Sequence, residues 1–77
     1  MAEQQRVTIE LDNVYVTRIT VSGNYTYIGR ALCGSSTGDS VWQIKRIDAT
    51  TGTVIQWADG DANFDNEYDN VGTITYT

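Results

Sequence analysis

Apolar and polar residues alternate along most of the chain, a period of two that is typical of β-strands with one buried face. Val, Ile, Thr and Tyr dominate the alternating stretches, proline is absent, and no stretch has the spacing of an amphipathic helix. The predicted strands are RVTIELD (6–12), VYVTRITV (14–21), YTYIGRAL (25–32), VWQIKRID (41–48), TVIQWA (53–58) and VGTITYT (71–77).

Glycine-containing polar stretches separate these strands. Gly23-Asn24 and the sequence around Gly52 predict hairpin turns, whereas Gly29, inside a strand, predicts a bulge or a close approach of another group to the backbone. Turns spaced about 8–12 residues apart favour a sandwich or a barrel. We therefore predict an all-β fold, a small single-domain antiparallel sandwich or barrel of about six strands that spans residues 1–77.

The composition limits the chemistry that the chain can perform. A chain of 77 residues has a marginal core, because a domain of that size buries only about 60% of its unfolded surface. The single cysteine, Cys33, excludes an internal disulfide and is expected to be buried as a small hydrophobe. The absence of histidine removes the usual zinc ligand and the usual general base. We predict no catalytic residue and no cofactor.

The charge argues against nucleic-acid binding, and the hydropathy argues against a membrane span and a signal peptide. Ten acidic and five basic residues give a net charge of −5, which disfavours nucleic-acid binding because that contact depends on neutralising phosphates. An apolar run of about 18 residues and a charged-then-apolar start are both absent, so neither a membrane span nor a signal peptide is expected.

The acidic segment QWADGDANFDNEYDN (56–70) holds five of the ten carboxylates, and it raises the question of a metal site. Its alternating oxygen donors resemble a calcium loop, but the glycine and glutamate of an EF-hand are missing at the sixth and twelfth positions. A looser calcium site remains an alternative, with the candidate ligands Asp59, Asp61, Asn63 and Asp65. The favoured interpretation is a strand connection with Asp and Asn in its turns, anchored inward by Trp57, Phe64 and Tyr68.

Trp57 is also a candidate ligand-binding residue, because sugars stack on exposed aromatic rings and Asp59 and Asp61 lie close to it in sequence. The favoured alternative places Trp42 and Trp57 together in the core, since a small domain needs large side chains there. Paired carboxylates are also found in glycoside hydrolases, but an active cleft is not expected in so short a chain. The protein is therefore predicted not to be an enzyme.

Residues 25–77 resemble short virion-associated proteins of tailed bacteriophages. The resemblance depends on four motifs, YIGRA (27–31), WQIKRI (42–47), WADG (57–60) and FDNEYDN (64–70). The chain departs from the pattern at Tyr68, where Trp is common, and at Leu32-Cys33, where smaller residues are usual. The resemblance implies a non-enzymatic structural role in a phage particle, and it supplies no catalytic or metal-binding motif.

Together these observations predict a capsid decoration or cement subunit, or a head-tail attachment subunit, that stabilises larger virion proteins. The expected location is the virion, after synthesis in the host bacterial cytoplasm. The expected partners are capsid or tail subunits, with the chain itself a homo-oligomer or present in many copies on a symmetric lattice. Residues 1–24 lie outside the resemblance and are the predicted partner-contacting strands, with Arg6, Val7 and Ile9 as candidate contacts. The alternative is a small β-sandwich module on a tail or fibre that binds a glycan or the host surface.

Overall fold

The computed structural model describes residues 14–77, which form one antiparallel sheet. Its four strands lie in the order β1-β2-β3-β4, so that every strand pairs with its neighbour in sequence. The strands are β1 (Tyr15–Ser22), β2 (Tyr25–Leu32), β3 (Gln43–Asp48) and β4 (Val54–Trp57), followed by a 3-10 helix (Tyr68–Asn70). The all-β prediction is confirmed for this part of the chain, and four of the predicted strands are present.

Two hairpins, one of them tight, help to fix the register of the sheet. Ser22 pairs with Tyr25 across a two-residue turn in which Gly23 has a φ of +59°, a conformation that glycine adopts without a steric penalty. In the turn between β3 and β4, Asp48 Oδ1 accepts a hydrogen bond from the Thr50 backbone N–H at 2.9 Å. That bond lowers the pKa of Asp48, because it stabilises the charged carboxylate.

One face of the sheet carries the core. The side chains of Tyr27 and Ala31 from β2 and of Ile44 from β3 point to this face, as the alternation predicts. The C-terminal segment, residues 58–77, covers them with two further tyrosines. The buried apolar residues are Tyr27, Ala31, Trp42, Ile44, Ala58, Tyr68 and Tyr76.

At Gly29 an aromatic ring approaches the strand backbone closely, as the position of this glycine inside a strand predicts. A Cβ atom at Gly29 would lie 2.6 Å from Tyr68 Cδ1 and 3.3 Å from Trp42 Cε3. Gly29 pairs in register with Arg18 on one side and Ile44 on the other, so the strand has no bulge there. The glycine therefore makes room for the Tyr68 ring, whose hydroxyl lies 2.6 Å from Thr20 Oγ1.

Arg46 joins the sheet to the C-terminal segment through aromatic rings. Its guanidinium lies 4.4 Å from the centroid of the Tyr25 ring and 4.7 Å from that of Tyr76. The same group donates two hydrogen bonds to Gln56 Oε1. Such a cation-π sandwich stabilises a half-buried cation by about 1–2 kcal/mol.

Tyr76 is buried beside Arg46, and its hydroxyl donates to the Val71 carbonyl at 2.8 Å. Burial, which disfavours the phenolate, raises the pKa of Tyr76 to about 12. In the unfolded chain this hydroxyl ionises near pH 10. A pKa that is higher in the folded state gives stability that is complete below about pH 10 and is lost as the pH rises to about 12.

We therefore expect the free energy of unfolding to fall between pH 10 and pH 12, and Tyr76→Phe to weaken this dependence. At neutral pH the same substitution should cost about 1 kcal/mol, because it removes one hydrogen bond. Urea unfolding at several pH values measures both effects. Tyr15→Phe, at a half-exposed tyrosine outside the core, is the control and should keep the wild-type pH dependence. An equally steep alkaline loss in Tyr76→Phe would contradict the assignment.

Three expectations are wrong or outside the described residues. The predicted strand 71–77 is not a strand, because residues 71–73 form turns and Tyr76 makes only an isolated bridge with Ala58. Cys33 is exposed at the end of β2 instead of buried. The predicted strand RVTIELD lies outside residues 14–77. Within that range no helix is long and apolar enough to cross a membrane.

Candidate functional site

The face of the sheet opposite the core is open, because no second layer covers it within residues 14–77. Cross-strand register places residues from all four strands on this open face. They are Tyr15, Thr17, Ile19 and Val21 of β1, Thr26, Ile28, Arg30 and Leu32 of β2, Gln43, Lys45 and Ile47 of β3, and Ile55 and Trp57 of β4.

Half of the open face is an apolar patch, formed by Ile19, Val21, Ile28, Ile47 and Ile55 at the end that carries the two hairpin turns. Ile19 is 63% exposed, Val21 69% and Ile55 58%. Isolated exposed apolar side chains are ordinary, but a contiguous group on one face marks an interaction surface. The apolar patch is therefore one candidate for partner contact.

The other half of the open face forms a cationic cleft of about 330 Å³. Its walls combine two basic side chains, an amide, a hydroxyl, an isoleucine and an indole. The lining residues are Thr17, Ile28, Arg30, Gln43, Lys45 and Trp57. Its volume lies at the lower end of the range for small-ligand sites, about 300–1,000 Å³.

Arg30 is held in the cleft by an amide and two rings. Its Nε donates to Gln43 Oε1 at 3.1 Å, and Gln43 Nε2 in turn donates to the Ala62 carbonyl at 2.9 Å. The guanidinium lies 4.8 Å from the centroid of the Tyr15 ring and 5.7 Å from that of Phe64. These contacts restrict the side chain before any ligand arrives, which reduces the entropic cost of binding.

A second, more apolar cleft of about 320 Å³ lies next to the first, beyond the guanidinium of Arg30. The rings of Tyr15 and Phe64 stack in its wall with their centroids 5.8 Å apart. Its other lining residues are Leu32, Ser35 and Val41. Phe64 thus packs on Tyr15 at the end of the open face and is not an anchor in the core, whereas Tyr68 is anchored there as expected.

The calcium candidates Asp59, Asp61, Asn63 and Asp65 lie in the connection that follows β4. Asp59 has a φ of +57°, a left-handed conformation that Asp tolerates in turns. Asp61 Oδ1 accepts a hydrogen bond from the Asn63 backbone N–H at 3.0 Å. Within residues 14–77, no three acidic or cysteine side chains lie close enough together to hold a metal ion. The Asp61–Asn63 bond is the kind of turn contact that the strand-connection interpretation predicts.

The two tryptophans lie on opposite faces. Trp42 is fully buried in the core, as predicted, but Trp57 is half-buried in the cationic cleft, so the expectation that both form the core is wrong for Trp57. The ligand-binding candidate Trp57 therefore does line a cleft. Asp59 and Asp61, its expected neighbours in a sugar site, do not line that cleft.

Sequence reasoning missed Arg30, Gln43 and Lys45 as site residues. Alternation alone places Gln43 and Lys45 on the face opposite Trp42, but it does not show that Arg30 of another strand lies beside them. That information comes from the pairing of β2 with β3. The candidate contacts Arg6, Val7 and Ile9 lie outside the described residues.

Comparisons with known proteins give no family assignment: no protein-family model matches the chain, and neither a curated protein nor a solved structure was found to be similar to it.

Proposed function

We propose that the protein is a non-enzymatic structural subunit of a bacteriophage virion, a capsid decoration or cement subunit or a head-tail attachment subunit. The observation that carries the proposal is the apolar patch, which no other element among residues 14–77 covers. The resemblance of residues 25–77 to short virion proteins gives the class of partner, namely larger capsid or tail subunits. The proposed location is the virion, where the chain is present in many copies or as a homo-oligomer.

Burial of the apolar patch would supply stability that a small domain lacks. Covering the exposed parts of Ile19, Val21 and Ile55 contributes on the order of 1 kcal/mol for each side chain. A domain of this size has a net stability of only about 5 kcal/mol, so a partner surface adds a large fraction of the total. A cement role benefits both proteins, because each covers the apolar surface of the other.

The outer edge of β1 offers a second means of contact. β1 is an edge strand of eight residues, and within residues 14–77 nothing pairs with its outer side. The N–H and C=O groups on that outer side can extend the sheet of another subunit. On this proposal, further strands that pair with this edge in the particle complete the predicted six-stranded sandwich or barrel.

A pair of variants in β4 tests the proposal. Ile55 belongs to the apolar patch, whereas its neighbour Val54 is on the opposite side of the strand and is 50% exposed. We expect Ile55→Lys to reduce incorporation into particles by about tenfold, because burying an unpaired ammonium is costly. Val54→Lys introduces the same charge opposite Asp48 and should incorporate normally.

The measurement uses the phage that encodes the chain. Mass spectrometry of purified particles gives the copy number, and heating curves of particles with and without the protein give its contribution to stability. Absence of the protein from purified particles, or equal incorporation of Ile55→Lys and Val54→Lys, would refute this function.

A second candidate function is a binding module for a glycan or a host surface on a tail or fibre. The observation that favours it is the cationic cleft, which presents Trp57 beside polar groups from β2 and β3. The cleft adjoins the apolar patch and shares Ile28 with it, but its other lining residues are separate, so one chain has room for both functions.

A further inference from the structure

Within residues 14–77, the two basic residues of the cationic cleft have no acidic partner. Neither Arg30 nor Lys45 forms an ion pair with a carboxylate among residues 14–77, although the whole chain carries ten acidic residues. Arg30 uses its Nε for Gln43, and its two terminal nitrogens donate to nothing else in the described structure. Lys45 Nζ has no hydrogen bond there and lies 5.6 Å from the centroid of the Trp57 ring. The cleft thus holds unused donors for an anion.

The register places these two basic residues side by side in the wall of the cationic cleft. Arg30 pairs with Gln43, and Lys45 is two residues further along the same strand, on the same face. Such diagonal neighbours have their Cβ atoms about 7 Å apart. A carboxylate bound between them would accept hydrogen bonds from both side chains, and charge-assisted bonds of this kind are about twice as strong as neutral ones.

The aromatic residues suggest that the ligand has rings. Trp57 offers an apolar surface in the wall of the cationic cleft, and the Tyr15–Phe64 pair offers another in the adjoining cleft. Arg30 touches both clefts because it lines the first and stacks on the rings of the second. A chain of linked rings, with one carboxylate near Arg30, would therefore occupy both clefts.

We propose that the two clefts bind an acidic oligosaccharide of the uronic-acid type. Its carboxylate lies between Arg30 and Lys45, one sugar ring lies against Trp57, and the next ring lies against Tyr15 and Phe64. A long polyanion such as DNA is disfavoured, because the chain has a net charge of −5 and few other basic residues. This inference deepens the second candidate function and rests on it, but it does not depend on incorporation into a virion.

The test uses tetragalacturonic acid as the probe and its full methyl ester as an uncharged probe with the same rings. Binding is followed by two-dimensional ¹⁵N–¹H NMR, in which the Trp57 indole N–H and the Arg30 Nε–H report directly on the cleft. The acid should shift both signals and bind about tenfold more tightly than the ester. The affinity for the acid should decrease as sodium chloride is added, since the site is open to solvent.

Four variants separate the roles of the residues. Arg30→Gln and Lys45→Gln should each weaken binding of the acid by about tenfold, and Trp57→Ala should weaken binding of both probes by about fivefold. Arg18→Gln is the matched control, because it also removes one positive charge from an exposed position but lies on the opposite face. It should change the affinity less than about twofold.

Three outcomes would overturn the inference. They are equal affinity for the acid and its ester, wild-type affinity in Arg30→Gln, and acetate binding as tight as tetragalacturonate. The virion role is judged separately by the presence of the protein in particles. A chain that is missing from particles but binds the acid would refute only the structural role, and the reverse result would refute only the saccharide site.

Discussion

Gly29→Ala is expected to remove more than half of the free energy of unfolding of a domain of this size. The added Cβ would lie 2.6 Å from Tyr68 Cδ1 and 2.8 Å from Tyr68 Cε1, distances that real Cβ atoms do not adopt. The Tyr68 ring has no room to move aside, because it packs against Trp42 at 5.3 Å and its hydroxyl contacts Thr20. Overpacking costs typically 1–3 kcal/mol, and we expect about 3 kcal/mol here because backbone and ring are both constrained.

Urea unfolding followed by circular dichroism measures this effect, and Gly72→Ala is its matched control. No atom lies within 4 Å of a Cβ built at Gly72, and its φ is not in the left-handed region. The control should therefore change the free energy of unfolding by less than about 1 kcal/mol. Combining Gly29→Ala with Tyr68→Leu should recover part of the stability, because the shorter side chain removes the clash. Wild-type stability of Gly29→Ala would show that Tyr68 does not occupy this position.

Trp42→Ala should cost about 4 kcal/mol, the second large effect that we expect. Trp42 is completely buried, and its indole Nε1–H donates to the Ser36 carbonyl at 2.9 Å. Its backbone N–H and C=O also pair with Asn66, so the residue fastens the acidic connection to the sheet. Loss of the ring removes its contact with the Tyr68 ring and the hydrogen bond that joins Trp42 to Ser36.

Replacing the tryptophan of the open face by alanine should lower the free energy of unfolding much less. Trp57 is half-buried, and its indole forms no hydrogen bond within residues 14–77. We expect Trp57→Ala to cost less than about 1.5 kcal/mol and to leave a folded protein for the saccharide measurements. Thermal unfolding of the two alanine variants compares the faces directly. Similar losses from both would show that the open face is as well packed as the core.

Several elements could be predicted from particular residues. The alternation of β2 and the Gly-Asn turn before it locate that strand at the residues observed, and the same-face pairing of Trp42 with Ile44 identifies the core side of β3. Gly29 also indicates that another group approaches the strand backbone closely. A glycine weakens the interior of a strand, so its presence there is explained when another group occupies the space that a side chain would fill. These are local signals, readable without knowing which strands pair.

Other features depend on contacts between residues distant in sequence, so the local sequence did not predict them. The alternation in 71–77 is as regular as in β1, yet Tyr76 and Ile74 are used to cover the sheet and Tyr76 forms only one bridge. Trp42 and Trp57 have similar sequence surroundings in alternating stretches. The Trp57 side chain nevertheless points to the open face, whereas the Trp42 side chain lies in the core. The absence of a strand at 71–77 and the position of Trp57 both depend on how many strands pair in the sheet and on which face the C-terminal segment covers.

The all-β class of the described residues, the places of the four strands and two hairpins, and the exclusion of histidine-dependent chemistry and of an internal disulfide could all be predicted from the amino-acid sequence. These follow from side-chain periodicity, turn residues and composition, which act over a few residues. The folded sheet is needed to see that, within residues 14–77, one face is covered and the other open, and that Arg30, Lys45 and Trp57 line one cleft. The reason is that cross-strand register joins residues distant in sequence, so the properties of a face belong to the assembled sheet and to no single strand.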